Sequence, residues 1–169
     1  YTTDLITWND ITGEPATAAT SICSDGFHVW TAHNTDRVYV TDTGASSTAA
    51  EVTSGNPVTV LGYVKGRLMA AYNNLLYNIT AAAAALPSPL YTHPNAEFDW
   101  VGFAAGRNVI YCAGFAGDKS IIYKTAVKAD GTALDIPSVA GELPDGEIVR
   151  CVYGYLGFLL IGTDQGVRV

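Results

Sequence analysis

The stretch VLGYVKGRLMAAYNNLLYNIT (60–80) decides the fold. It holds an apolar run, a turn with Gly66, a second apolar run, a polar Asn-Asn loop and a third run that carries Tyr77. The same order of parts recurs in TSICSDGFHVWTAHNTDRVYVTD (20–42), WVGFAAGRNVIYCAGFAGDKSIIYKT (100–125) and CVYGYLGFLLIGTDQGVRV (151–169). The turn glycines Gly26, Gly66, Gly106 and Gly157 are spaced by 40, 40 and 51 residues, the last interval stretched by an insert around Lys128 to Gly146. A period near forty, built from several short strands, is that of β-propeller blades. Helical repeats would need a 3.6-residue periodicity that these segments lack.

One small sheet cannot bury both faces alone. Radial stacking buries each face against a neighbour. This explains why the second runs VWTA, LMAA, VIYCAG and FLLIG are apolar almost throughout, since strands covered on both faces need not alternate. In the third runs Tyr39, Tyr77 and Tyr123 each follow an apolar residue, and Arg168 takes that place in the fourth. A tyrosine there packs its ring between sheets and leaves its hydroxyl at the rim.

The fold class expected is therefore all-β, with about four propeller blades that form part of a larger propeller. Residues 1–18 supply a strand of a preceding or closing blade, with LITW (5–8) as the strand. Blade one covers 19–57, blade two 58–97, blade three 98–147 and a partial blade four 148–169. The outer strand of blade three is expected at 133–136. Ala81 to Ala85 could form a helical turn or a loop. The chain begins with Tyr1 and stops at Val169 within a strand pattern, which suggests a piece of a longer polypeptide.

Composition narrows the function classes. The net charge is −7 and no Lys/Arg cluster breaks it, which argues against nucleic acid and against anionic membranes as partners. The apolar stretch Val149 to Gly162 is too short to span a bilayer. Cys23, Cys112 and Cys151 form no CxxC pair and read as unpaired structural thiols.

The sequence carries few chemical signatures. No HExxH, GxSxG, P-loop or EF-hand pattern is present. His28, His33 and His93 have no metal-ligand spacing, and surface or capping roles suit His33 and His93. SDGFHVW (24–30) only loosely matches the S-x-D-x-G-x-x-W turn of sialidase propellers. Glycoside hydrolysis would need paired carboxylates, and Glu97, Asp99 and Glu147 show no pairing in sequence. The reading is thus not an enzyme, with no cofactor; a metal is left open. Polar residues do fall in the turns from second to third strand, which share a face with the segments leading into the next blade. Asp36, Asn74, Asp118 and Asp164 are the candidate ligand-binding residues there, although Asn and Asp are also what such turns demand.

YLGFLLIGTDQGVRV (155–169) resembles blade-like repeats of minor tail proteins of tailed bacteriophages, in which an apolar run is followed by G-T-x-x-G-V-R. The resemblance implies a structural virion protein of the tail tip or fibre, acting as a binding and assembly module with a part in host attachment. It implies other tail proteins as partners, several copies around the tail and a host surface glycan as a candidate ligand. It carries over no catalytic residue. A carbohydrate-active, sialidase-like propeller enzyme and a bacterial extracellular scaffold propeller are the alternatives.

Overall fold

The structure is a computed structural model that describes residues 12–13, 15–41, 48–52, 56–79 and 88–169, with 48–52 described by its backbone. The LITW strand and the Ala81 to Ala85 stretch lie outside the described residues. Among the described residues there is no helix, and the strands form four separate antiparallel sheets.

Unit one holds β1 (Ser21–Ser24), β2 (Val29–Ala32), β3 (Arg37–Thr41) and β4 (Thr48–Val52). Unit two holds β5 (Val60–Val64), β6 (Arg67–Tyr72), β7 (Leu75–Asn78) and β8 (Tyr91–Thr92). Unit three holds β9 (Asp99–Ala105), β10 (Ile110–Ala116), β11 (Lys119–Thr125) and β12 (Ser138–Glu142). Unit four holds β13 (Val149–Tyr155), β14 (Phe158–Thr163) and β15 (Gly166–Arg168), and has no fourth strand among the described residues. Each sheet is a meander in chain order. The first strands pack in sequence: β1 on β5, β5 on β9, β9 on β13. This is the radial stacking of propeller blades. β13 and β1 make no comparable contact.

The turn glycines occupy the equivalent hairpin, between first and second strands, in all four units. Lys65–Gly66 and Leu156–Gly157 are two-residue loops with positive φ at both positions (51° and 75°, 48° and 87°). Such loops match the right-handed twist of the flanking strands. Gly106 serves a different need. A Cβ there would stand 2.6 Å from the Tyr111 ring and 2.9 Å from Val109.

Three apolar layers fill the spaces between sheets. Ala32 and Val38 meet Leu61, Leu68, Ala70 and Tyr77 between units one and two. Val64, Met69 and Ala71 meet Phe98, Trp100, Cys112 and Tyr123 between units two and three. Ala113 and Ile122 meet Val149, Val152, Leu159 and Ile161 between units three and four. Each fully buried large side chain contributes roughly 1.5–3 kcal/mol. The turns below are braced as well, since Lys65 Nζ donates to the carbonyls of Gly106 and Arg107 at 3.2 and 2.9 Å.

The outer strand of unit three is not at 133–136. It is Ser138–Glu142. The 133–136 run folds back on its own chain. Lys128 N–H donates to Ala133 O and Asp135 N–H to Ala126 O, both at 2.9 Å, and Leu134 bridges to Val127 and is buried. Leu134 joins the apolar layer between units two and three. Pro137 then separates this plug from the edge strand, because it lacks the N–H a ladder needs.

Candidate functional site

The turns from second to third strand lie beside the segments that lead into first strands, and backbone hydrogen bonds tie them together. Thr35 O accepts from Val58 N–H at 2.8 Å, ahead of β5. Asn73 O accepts from Trp100 N–H at 3.4 Å, in β9. Asp118 O accepts from Gly146 N–H at 2.8 Å, and Asp164 N–H donates to Ile148 O at 3.0 Å, both ahead of β13. The shared face expected from the sequence is therefore present.

The four candidate residues are used unequally. Asn74 is half-buried and committed locally: its Nδ2 donates to His93 O at 2.8 Å, and its carbonyl accepts from His93 N–H at 2.9 Å. Asp164 Oδ1 accepts from Ile148 N–H at 2.9 Å, closing a two-way clasp on that residue. Asp118 acts through its backbone, and its side chain is exposed. Asp36 is half-buried in the β2–β3 turn. Asp118 and Asp164 flank one segment, 146–148, whereas Asn74 belongs to the next space along, beside His93 and Trp100.

The sequence did not bring out the most tightly built polar cluster. Glu147 is 2% exposed yet charged. Arg168 Nε donates to its two carboxylate oxygens at 2.7 and 2.8 Å, Arg168 Nη2 adds a third bond at 2.5 Å, and Thr163 Oγ1 donates at 2.8 Å. The guanidinium hydrogen bonds hold the Glu147 carboxyl below its ordinary pKa, against the opposing pull of burial. Glu147 raises Arg168 in return. A polar depression of about 280 Å³ opens beside this pair, lined by Gln165, Gly166 and Val167. The available signal was the exception in the third runs. Tyr77 and Tyr123 bury their rings in the layers, and Tyr77 Oη accepts from Asn56 Nδ2 at 3.0 Å. Arg168 stands in that same place and meets the lead-in residue Glu147.

His33 and His93 are buried, not at the surface. His33 Nδ1 lies 2.7 Å from Thr17 O. His93 stacks on Phe98 with ring centroids 3.9 Å apart and accepts from Asn95 N–H through Nδ1 at 3.1 Å. The His93 and Phe98 rings belong to an aromatic nest with Tyr91, Trp100 and Tyr123. At the opposite end of unit one, Asp25 caps its own turn. Oδ1 accepts from Phe27 and His28 N–H, Oδ2 lies 2.9 Å from His28 Nδ1, and these bonds, the His28 backbone first, lower its pKa to about 2. This is what SDGFH does here: it locks a hairpin. Among the described residues no group of three or more His, Cys, Asp or Glu side chains gathers as a metal site would.

No protein-family model matches the sequence, and no curated protein matches it. Solved structures do. The chain is similar to the computationally designed Ika4 protein (12% identity, TM-score 0.63), covering 96% of this chain and 97% of that one. It is similar to the AfRom2 CNH domain (15% identity, TM-score 0.59; 94% and 53% covered). It is also similar to the β-propeller domain of Cps50 from Myceliophteria thermophila (12% identity, TM-score 0.55; 88% and 51% covered). The chain thus spans nearly all of the first and about half of the other two. At these identities the likeness is one of fold, and the fold is that of β-propellers.

Proposed function

We propose that the chain is a non-enzymatic β-propeller module of a bacteriophage tail, at the tail tip or fibre, which works by binding and assembly. The observation that carries this reading is how the polar groups of the candidate face are spent. Asn74 and Asp164 hold lead-in segments, and the buried Glu147 carboxylate is filled by Arg168 and Thr163. A hydrolytic carboxylate must give or take a proton beside the bond it breaks. A guanidinium seated on both oxygens keeps Glu147 ionised and occupied. Short turns on a rigid apolar stack suit recognition by surface instead.

The tail setting rests on the resemblance of YLGFLLIGTDQGVRV (155–169) to phage tail repeats. In that setting the partners are other tail proteins, in several copies, and the exposed Asp118 turn faces a host surface glycan. Antibody against the chain should decorate the tails of particles whose genome encodes it, seen by electron microscopy. Purified particles that contain none of the chain by mass spectrometry would contradict the virion reading. Glycan cleavage by the chain, abolished in a folded Glu147→Gln variant, would overturn the non-enzymatic one.

A further inference from the structure

One end of the stack carries the four hairpins between first and second strands. Trp30 of unit one stacks on Tyr63 of unit two with ring centroids 5.1 Å apart, Lys65 reaches the carbonyls of Gly106 and Arg107, and Gly154 lies against Ala105, so the hairpins stand side by side. Their apexes differ. Phe27 and Leu156, in the two outer hairpins, are 85% and 80% exposed. Leu156 also holds φ +48°, a turn position that Asn, Asp or Gly normally fills. A bulky apolar side chain there strains the turn and adds nothing to the core. The two inner hairpins carry cations. Lys65, at the turn position equivalent to Leu156, holds φ +51° and is exposed, as is Arg107. Arg67 donates through Nη2 to Gly131 O, and Gly131 N–H donates to Lys128 O, which brings the exposed Lys128 to the same place.

We infer that this end docks on an anionic membrane surface. Phe27 and Leu156 enter the boundary between headgroups and acyl chains, and Lys65, Arg67, Arg107 and Lys128 meet the headgroups. These are four of the chain's nine Lys and Arg residues, and among the described residues none of the four lies within salt-bridge distance of a carboxylate. Asp25, Asp130 and Asp135 are the carboxylates of this end among the described residues, and two of them serve their own turns. Asp25 accepts from Phe27 and His28 N–H, and Asp130 from the N–H and hydroxyl of Thr132. Asp36, Asp118, Glu147 and Asp164 lie toward the opposite end, with the turns from second to third strand. The net charge of −7 argues against an anionic partner for the chain as a whole, but the fold separates the signs. The apexes select a bilayer over a soluble polyanion. An acidic glycan or protein would engage the cations and leave Phe27 and Leu156 in water, whereas a membrane interface takes up both kinds of side chain. The inference does not rest on the tail setting.

Flotation of the 169-residue chain with lipid vesicles tests this. Vesicles of phosphatidylcholine with about one-third phosphatidylglycerol should bind at least about 25-fold more tightly than phosphatidylcholine alone at about 50 mM salt, and the preference should collapse at about 500 mM. Leu156→Asn suits the turn better, so it should hold or raise the urea midpoint while weakening vesicle binding about 10-fold. Phe27→Ser removes the other apex and should act alike. Lys65→Asn should cost about 5-fold on the anionic vesicles and nothing on the neutral ones. Dextran sulfate serves as a soluble polyanion and should bind far more weakly than the anionic vesicles. No flotation with anionic vesicles would mean that this end is simply solvated. Flotation unchanged by both apex substitutions would place the membrane contact elsewhere. Dextran sulfate bound as tightly as the vesicles, with no loss in the apex variants, would make the patch a polyanion site without a membrane role. Each of these three results overturns the inference.

Discussion

Gly154 sits where the first strand of unit four comes nearest to unit three. A Cβ there would stand 2.0 Å from the Ala105 carbonyl oxygen and 3.1 Å from its nitrogen, backbone atoms that cannot swing aside. Gly154→Ala should cost about 3 kcal/mol, read as a lowered urea midpoint with an unchanged slope. Gly157→Ala meets open space and only the strain of φ +87°, so about 1 kcal/mol is expected. The two glycines differ in how visible they were. Gly157 announces itself as turn chemistry within a repeat, whereas the crowding at Gly154 depends on the distance between two sheets. The thiols behave similarly. That Cys23, Cys112 and Cys151 are unpaired was readable from sequence, and all three are free. Their ranking was not. Burial pushes Cys23 and Cys112 up to about 12, so both stay as unreactive thiols at neutral pH. In dilute native protein Cys151 should label first, with the other two reacting only after denaturation. Rapid native labelling of Cys112 would contradict the packing of β10.

Unit four lacks a fourth strand among the described residues and leans instead on the Glu147–Arg168–Thr163 clasp, which ties β14 and β15 to the segment ahead of β13. The folded pKa of Glu147 is lowered below the unfolded value of about 4.3. Its contribution is therefore complete above that value and is lost as pH falls through the folded pKa. Urea midpoints measured against pH should drop below about pH 4.3 more steeply for the wild type than for Glu147→Gln. Equal pH dependence would show that the clasp adds no pH-linked stability. At this scale most strands were legible, because apolar runs and Gly or Asn turns alternate with a fixed period. β12 was not. ALDI looked like an edge strand, but its Leu134 had a buried slot available between units two and three, and that packing outweighed local pattern. The candidate face was legible as a face, because meander topology puts those turns beside the lead-in segments. Its chemistry was not, because whether an Asn or Asp binds a ligand or its own turn depends on which backbone N–H or C=O lies within about 3 Å.

The whole molecule is a sequence of sheets stacked side by side, each burying a face the next one completes. The repeat made that order legible from 40-residue spacing. How the arc ends was not, because closure depends on the small rotation from each blade to the next, which no residue encodes alone. The central claim is the radial order of the four units, and a crystal structure of the chain tests it most directly. The account predicts first strands β1, β5, β9 and β13 packed successively around one axis, with Gly26, Gly66, Gly106 and Gly157 superposing in the hairpins between first and second strands. Two sheets packed face to face as a sandwich, or units stacked out of chain order with those glycines at unrelated positions, would contradict it.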